Sequence, residues 1–347
     1  AEPPLLDTDD LEPTRLWHWQ AQEPRRQPCL FYHHNSPFSF RHAAWEAKLT
    51  GCTDQERDAL ERIRTFTHAL PWANGYTHCT VNYERVLGEG LSGYRRRIEA
   101  GLTESGTERA RELYRALMIT VSAAEHVAHR LASAVHATPV ETDQLAGRRE
   151  RLARTLQHVP MEPPRDFYEA LVAVNFIFYF EGCDSPGRFD QYLWPFYARD
   201  READRLTERE AVELIGEFWT NVDRTGGWNV ALGGSRGPQG RSAVNELTTV
   251  CLDALKARRR PNAALRMPKH ADDALWDKAF EVIATGAGLP ALYNDEEYVE
   301  ALRDFGLGVS EADLREVSFG GCTESMIQGC SNVGSLAANI HLLELLE

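Results

Sequence analysis

The sequence predicts an α/β protein with a largely helical N-terminal half. Two observations support this prediction. Residues 104–136 and 143–157 carry long amphipathic patterns, which are typical of helices with one buried face. Between residues 228 and 319, short apolar segments alternate with helical patterns. This alternation predicts strands separated by helices, as in an α/β barrel or a sheet with helices outside.

The first half of the chain is predicted to be mostly helical. Residues 1–50 are rich in Pro, Trp and His and show little periodicity, so we expect them to wrap over the core. A helix is predicted over 54–70, because the Thr-Asp pair at its start can cap the first turn. Residues 71–101 begin with turn-forming residues and continue as a helix. A mostly buried helix is predicted over 164–181, after two prolines.

The second half alternates strands with helices and is punctuated by glycine. The predicted strands cover 228–234, 262–267, 289–294 and 317–319. The predicted helices cover the end of 183–200, 207–222, 241–257, 272–285 and 295–305. Thr207 is followed three residues later by Glu210, a pairing that caps helix starts. Since no linker or internal repeat interrupts the chain, we predict a single domain over 1–347.

Length, charge and cysteine content limit the function. The chain has 347 residues, 43% of them hydrophobic and 26% charged, which is typical of a globular protein with a large core. No apolar run approaches the ~20 residues that span a bilayer. A net charge of −14 argues against nucleic-acid binding. The seven cysteines are widely spaced, which predicts reduced thiols in a cytoplasmic protein. The histidines form no helical metal-ligand pattern.

The clearest chemical signal lies between residues 315 and 347. A short strand is followed by Gly320 and Gly321, then by Cys322 and Glu324, and an apolar helical pattern closes the segment. A thiol just past two glycines lies where backbones approach closely and side chains project into a cavity. Three interpretations are open: a buried small hydrophobe, a thiolate nucleophile, or a neutral thiol for hydrogen-atom transfer. Glu324 favours the third over the second, because a neighbouring carboxylate disfavours a thiolate.

Several sequence blocks follow one another between about residue 74 and 347. The blocks are NGYTHCTVNYERVL (74–87), SPGRFDQYLWPFY (185–197), NVALGG (229–234), NELTTVCLDAL (245–255), PNAALRM (261–267), TGAGLPALYNDE (285–296) and GVSEADLREVSFGGCTE (308–324). In this order and spacing they resemble the glycyl radical enzymes, the pyruvate formate-lyase and diol dehydratase superfamily. Each block alone is a weak match, but chance does not explain their common order and spacing.

The resemblance implies part of a ten-stranded α/β barrel surrounded by helices, with Cys322 on a loop that enters its centre. It implies that Cys322 carries a thiyl radical and that Glu324 is the general base of a lyase or dehydratase that breaks a C–O, C–N, C–S or C–C bond. The implied substrate-binding residues are His78, Ser185 and Asn332. The chain is expected to bind no cofactor itself, and the implied partners are a small-molecule substrate, a radical S-adenosylmethionine activating enzyme and a second copy in a homodimer.

Two departures from the family pattern bear on function. The family's radical glycine lies in an Arg-Val-x-Gly-Tyr motif well after the cysteine, and these 347 residues do not contain it. We therefore expect an N-terminal to central portion that is inactive alone and is completed by a glycyl radical segment or chain. The formate-lyase branch has two consecutive cysteines, whereas Gly321 precedes Cys322 here, which favours a lyase or dehydratase.

Three other functions stay open at this point. They are acyl transfer like that of formate C-acetyltransferase, a non-catalytic scaffold role, and a thiol hydrolase that pairs Cys322 with His78. The small-polyol and choline-type relatives have an aspartate fourteen residues after the cysteine, where this chain has Leu336. We therefore expect glycerol, propane-1,2-diol and choline to be poor substrates, and a larger or carboxylate-bearing molecule to be preferred.

Overall fold

The computed structural model describes residues 52–59, 76–78, 80–181, 185–224, 227–321, 324–331 and 333–335. The expectations for residues 1–50 and for the apolar helix after residue 335 lie outside these ranges.

The N-terminal half is helical, as predicted. Its long helices are α1 (Tyr83–Glu104), α2 (Glu108–Ala137), α3 (Asp143–Leu156) and α4 (Phe167–Glu181). Polar side chains set the starts of the first three helices, since Asn82, Thr107 and Thr142 each accept a hydrogen bond from the amide three residues later. Helix α4 is apolar on all sides and buried along almost its whole length, which confirms the prediction for this segment.

The second half alternates strands and helices. Its helices are α5 (Phe189–Tyr192), α6 (Trp194–Glu202), α7 (Glu208–Arg224), α8 (Glu246–Ala254), α9 (Asp273–Val282), α10 (Asp295–Asp304) and α11 (Glu311–Arg315). The strands of the described residues are β1 (Tyr76–His78), β2 (Gly187–Arg188), β3 (Asn229–Gly233), β4 (Ser235–Arg236), β5 (Arg241–Ser242), β6 (Asn262–Met267), β7 (Ala291–Asn294), β8 (Val317–Gly320), β9 (Glu324–Ile327) and β10 (Val333–Ser335).

Four of these strands form a parallel sheet in the order β2-β3-β6-β7. Parallel neighbours need a crossover connection, and the intervening helices provide it. The other described strands pair as antiparallel couples: β1 with β10, β4 with β5, and β8 with β9. The α/β class is therefore confirmed. Among the described residues, no helix is both long and apolar enough to cross a lipid bilayer.

The helix predicted over 241–257 is shorter in the structure. Residues 241–242 pair with 235–236 as a small hairpin, and helix α8 begins only at Glu246. The reason is a capping box: the Asn245 side chain accepts from the Thr248 amide, and the Thr248 hydroxyl accepts from the Asn245 amide. These two bonds satisfy amide groups that have no partner inside the helix and fix its first turn.

The β8–β9 hairpin lies against the parallel sheet. All four residues of β8 are buried, and the strand contacts β2 and β3. Val317 and Phe319 pack in an apolar cluster with Ala231 and Ala264, which belong to β3 and β6. The hairpin thus leads from the carboxyl ends of the parallel strands across their surface.

Candidate functional site

Two antiparallel strand pairs bring His78 next to Glu324. His78 ends β1 and pairs with Val333, and Glu324 begins β9 and pairs with Gly320. The imidazole Nε2 lies 3.6 Å from the carboxylate Oε1, within the range of an ion pair and slightly long for a hydrogen bond. The His78 side chain is 5% exposed and that of Glu324 27% exposed. An imidazole and a carboxylate at this distance can together accept, donate or hold a proton.

Two glycines allow this close approach. Gly321 has φ +51°, in the left-handed region, and a Cβ there would lie 2.5 Å from both Glu324 Oε2 and His78 Cε1. A Cβ on Gly320 would lie 2.7 Å from His78 Cβ and 2.6 Å from Met326 Cε. Any other residue at either position would overlap the side chains beside it. The Gly-Gly pair therefore lets the side chains of His78, Glu324 and Met326 approach the backbone closely.

We expect Gly321→Ala to destabilise the protein by roughly 1–3 kcal/mol, because alanine tolerates the left-handed backbone poorly and its Cβ overlaps the His78–Glu324 pair. Denaturant unfolding measures the change. Gly147→Ala is the control, since Gly147 lies inside helix α3 with nothing within 4 Å of an added Cβ, and it should instead stabilise by about 0.5–1 kcal/mol. A Gly321→Ala protein as stable as the wild type would contradict the close approach.

The structure adds residues that the sequence did not single out. On the His78 face of the hairpin, the Ser318 hydroxyl lies 3.4 Å from the Thr80 hydroxyl, and both residues are buried. On the opposite face, the ring of Tyr293 stacks on Phe319 with a centroid separation of 4.7 Å. The alternation of side chains along a strand separates these two faces, but strands of four residues are too short to show it in the sequence alone.

The other predicted site residues have different positions. Ser185 is fully buried, and its hydroxyl accepts a hydrogen bond from the Gly187 amide in the turn that leads into β2. Its role in substrate binding stays a prediction. Cys322 and Asn332 lie outside the described residues, although Gly321 and Glu324 on either side of the cysteine loop are described. Within the described ranges, no group of three or more His, Cys, Asp or Glu side chains could hold a metal ion.

Similar proteins in other organisms are lyases and dehydratases. An isethionate sulfite-lyase of Desulfovibrio desulfuricans is 30% identical over 332 residues, which cover 84% of this chain and 38% of that enzyme. A (2S)-3-sulfopropanediol dehydratase of Klebsiella oxytoca is 26% identical, over 80% of this chain and 37% of that enzyme. The chain thus spans less than two fifths of the length of these relatives.

Solved structures of dehydratases are also similar to this chain. A Roseburia inulinivorans structure that describes 1,2-propanediol dehydration matches with a TM-score of 0.66 and 29% identity, over 73% of this chain and 35% of that one. The B12-independent glycerol dehydratase of Clostridium butyricum, with glycerol bound, matches with a TM-score of 0.66 and 25% identity over the same shares. The family model described as pyruvate formate lyase-like matches residues 40–347. The chain therefore belongs to the pyruvate formate lyase-like family of glycyl radical enzymes, and it matches their N-terminal to central part.

Proposed function

We propose that this chain is the substrate-pocket and thiyl-cysteine portion of a glycyl radical lyase or dehydratase. The observation that supports this most directly is the approach of Glu324 to His78 beside the Gly320–Gly321 backbone, in a chain of this family. Such an enzyme breaks a C–O, C–N, C–S or C–C bond after a hydrogen atom has been removed from the neighbouring carbon. The sulfite-lyase and dehydratases among the relatives support this class.

In the proposed mechanism, a glycyl radical outside these 347 residues supplies the unpaired electron. Cys322 gives its thiol hydrogen to that radical, and its sulfur then takes a hydrogen atom from a substrate carbon. The cysteine leaves this step as a thiol and the substrate as a carbon radical. Glu324 accepts a proton from the substrate as the leaving group departs. Cys322 finally returns a hydrogen atom to the product radical, which restores the thiyl for the next transfer.

His78 binds the substrate in this proposal. Its side chain is almost fully buried, so an Nε2–H group there can bind a substrate hydroxyl or carboxylate with little competition from water. The same Nε2 lies 3.6 Å from Glu324 Oε1, so a substrate oxygen bound there lies beside the carboxylate that receives the proton. Ser185 and Asn332 are proposed as further substrate-binding residues. Ser185 lies in the SPGRFDQY block, and Asn332 is a polar residue close to Leu336 in the sequence.

The rest of the assembly is also part of the proposal. We propose that residues 1–347 form one domain, and that its parallel sheet is part of a ten-stranded barrel, which the similarity to glycyl radical enzyme structures supports. A radical S-adenosylmethionine activating enzyme would install the radical on a glycyl segment or chain. A homodimer and a cytoplasmic location stay predictions.

Acyl transfer like that of formate C-acetyltransferase is disfavoured by the geometry at Gly321. A second cysteine there would place its Cβ 2.5 Å from the Glu324 carboxylate and from the His78 ring. The consecutive cysteines of that branch therefore do not fit this backbone. A scaffold role would leave the paired His78 and Glu324 without a chemical purpose. A thiol hydrolase would be active in air, and iodoacetamide would alkylate its Cys322 thiol at neutral pH.

The proposed substrate is larger than glycerol, propane-1,2-diol or choline, or carries a carboxylate. Leu336 supports this preference, because an apolar side chain cannot replace the charged hydrogen bond that an aspartate makes to a polar substrate.

We expect the complete polypeptide, treated anaerobically with a radical S-adenosylmethionine activating enzyme, to show a glycyl doublet by electron paramagnetic resonance. The doublet arises because the glycyl carbon keeps one hydrogen. In D₂O buffer it should collapse to a singlet, since the Cys322 S–D exchanges its deuterium with that hydrogen. A protein that shows no organic radical, but hydrolyses esters or amides in air, would contradict the proposal.

A further inference from the structure

Two arginines of the matching sequence blocks have no role in the mechanism above. Arg188, in SPGRFDQY, is 2% exposed, and Arg266, in PNAALRM, is 1% exposed. They lie at or near the carboxyl ends of the parallel strands β2 and β6, which flank strand β3 in the sheet. Burial, followed by the charge of Arg188, lowers the pKa of Arg266 to about 10, so its guanidinium stays charged at neutral pH. A buried charge is expensive unless hydrogen bonds compensate it, so the partners of these arginines matter.

Both guanidinium groups donate to the start of the β8–β9 hairpin. Arg188 Nη1 lies 2.7 Å from the Arg315 carbonyl oxygen, and Arg266 Nη1 lies 3.0 Å from the same oxygen. Arg266 Nη1 also donates to the Val317 carbonyl at 2.8 Å. One backbone carbonyl is thus held by two fixed cations, one from each of two strands of the sheet. We call residues 315–317, together with Gln328, the hairpin base.

Arg188 Nη1 also forms an ion pair with Glu316 Oε2 at 2.8 Å, which is a further bond to the hairpin base. The other bonds of the two arginines anchor them to the sheet and to helix α10. Arg188 Nη2 donates to the carbonyl oxygens of Gly233 at 3.0 Å and Ser235 at 3.2 Å, at the end of strand β3 and the start of strand β4. Arg266 Nε donates to Asp295 Oδ1 at 2.7 Å, and Asp295 is fully buried at the start of helix α10. The planar guanidinium makes these bonds in fixed directions, which the single ammonium of lysine cannot reproduce.

The returning strand is held at the same level. The backbone amide of Gln328 donates to the Glu316 backbone carbonyl at 3.0 Å. The backbone amide of Arg188 donates to the side-chain oxygen Oε1 of Gln328 at 2.6 Å. Gly187, with φ +68°, makes room for this, because a Cβ there would lie 2.6 Å from Gln328 Oε1. Both strands of the hairpin are therefore tied to the sheet at the hairpin base.

The hairpin base lies about 10 Å from the hairpin tip, since three residue steps of ~3.3 Å separate Val317 from Gly320. At the tip, the missing Cβ atoms of Gly320 and Gly321 show that no spare room separates the backbone from His78. A shift of the hairpin base therefore also shifts Glu324, because the packed tip leaves the backbone no free space in which to adjust. Misplacement by ~1 Å can slow a reaction by about 10²-fold.

We propose that Arg188 and Arg266 are positioning residues that fix the β8–β9 hairpin at its base, so that Gly321 and Glu324, which flank Cys322 in the sequence, keep the geometry that hydrogen transfer needs. This proposal rests on the proposed function above, since it assumes that the hairpin takes part in radical transfer.

The test uses the activated complete enzyme, with D₂O as the probe, so that no substrate is needed. Arg266→Lys keeps the charge and loses the directed bonds to two carbonyls. We expect the glycyl doublet of Arg266→Lys to collapse at least tenfold more slowly, per radical spin, than the doublet of the wild type. Arg149→Lys is the matched control, because Arg149 also donates to a backbone carbonyl, that of Thr138 at 3.0 Å, but between helices α2 and α3. The doublet of Arg149→Lys should collapse at the wild-type rate.

A merely structural role would lower the number of radical spins and leave the rate per spin unchanged, and that result would overturn the proposal. Should Arg266→Lys not fold, Gln328→Ala decides, because it removes the side-chain bond between the returning strand and the Arg188 backbone amide without burying a charge. A wild-type collapse rate per spin in Gln328→Ala would then contradict the proposal. Failure of the proposed function gives a different result, namely no doublet in the wild type.

Discussion

Replacing Cys322 by serine in the complete enzyme is expected to abolish turnover while leaving activation intact. An O–H bond is considerably stronger than an S–H bond, so a serine hydroxyl cannot give its hydrogen atom to a glycyl radical. The activating enzyme acts on the glycine, so the glycyl doublet should still form in the Cys322→Ser enzyme. In D₂O this doublet should persist, because the route that exchanges the glycyl hydrogen with solvent has been removed. Electron paramagnetic resonance measures both the yield and the persistence of the doublet.

Cys330→Ser is the control for this experiment. Cys330 is an exposed thiol eight residues after Cys322 in the sequence, and the proposed mechanism does not use it. Its replacement should leave turnover and the collapse of the doublet at wild-type rates. Collapse at the wild-type rate in Cys322→Ser would assign hydrogen transfer to a different thiol.

Much of the fold could be predicted because its signals are local. The start of helix α7 is an example: the Thr207 hydroxyl accepts from the Glu210 amide at 3.2 Å, and Glu210 accepts from the Thr207 amide at 2.9 Å. Both partners lie within four residues, so the pair can be recognised in the sequence. Strand β9 was not predicted, because Glu324–Ile327 is too short to show a period and forms only against β8.

The site was predicted only in part, for a related reason. His78 and Glu324 were each identified from a sequence block, but their contact joins residues at opposite ends of the chain, and two separate strand pairs create it. The Gly320–Gly321 pair did indicate a close approach, although not which side chain would be approached. Arg188 and Arg266 gave no local signal, because their partners are backbone carbonyls far along the chain, which no residue type reveals.

Replacing Glu324 by glutamine should lower kcat by about 10²–10⁴-fold, the typical effect of losing a general base. The amide has the shape of the carboxylate and fits the same space beside His78, but it cannot take a proton from the substrate. Because the side chain is 27% exposed, the new NH₂ group can reach water, so stability should change little. Kinetic assays with the substrate of the complete enzyme measure the loss, and KM should stay within a few-fold of the wild type. Glu300→Gln, at an exposed position on helix α10, is the control and should leave kcat unchanged.

The Glu324→Gln enzyme also separates proton transfer from hydrogen-atom transfer. Exchange of the glycyl hydrogen in D₂O needs the thiol and no base, so the doublet should collapse at the wild-type rate even though turnover is lost. If Glu324 is the general base, the fall of kcat/KM toward low pH that its protonation causes in the wild type should be absent from the glutamine enzyme. A near-normal kcat in Glu324→Gln would instead mean that the carboxylate only packs against His78. A loss of both turnover and doublet collapse would mean that Glu324 holds the hairpin tip in place and does not act as the base.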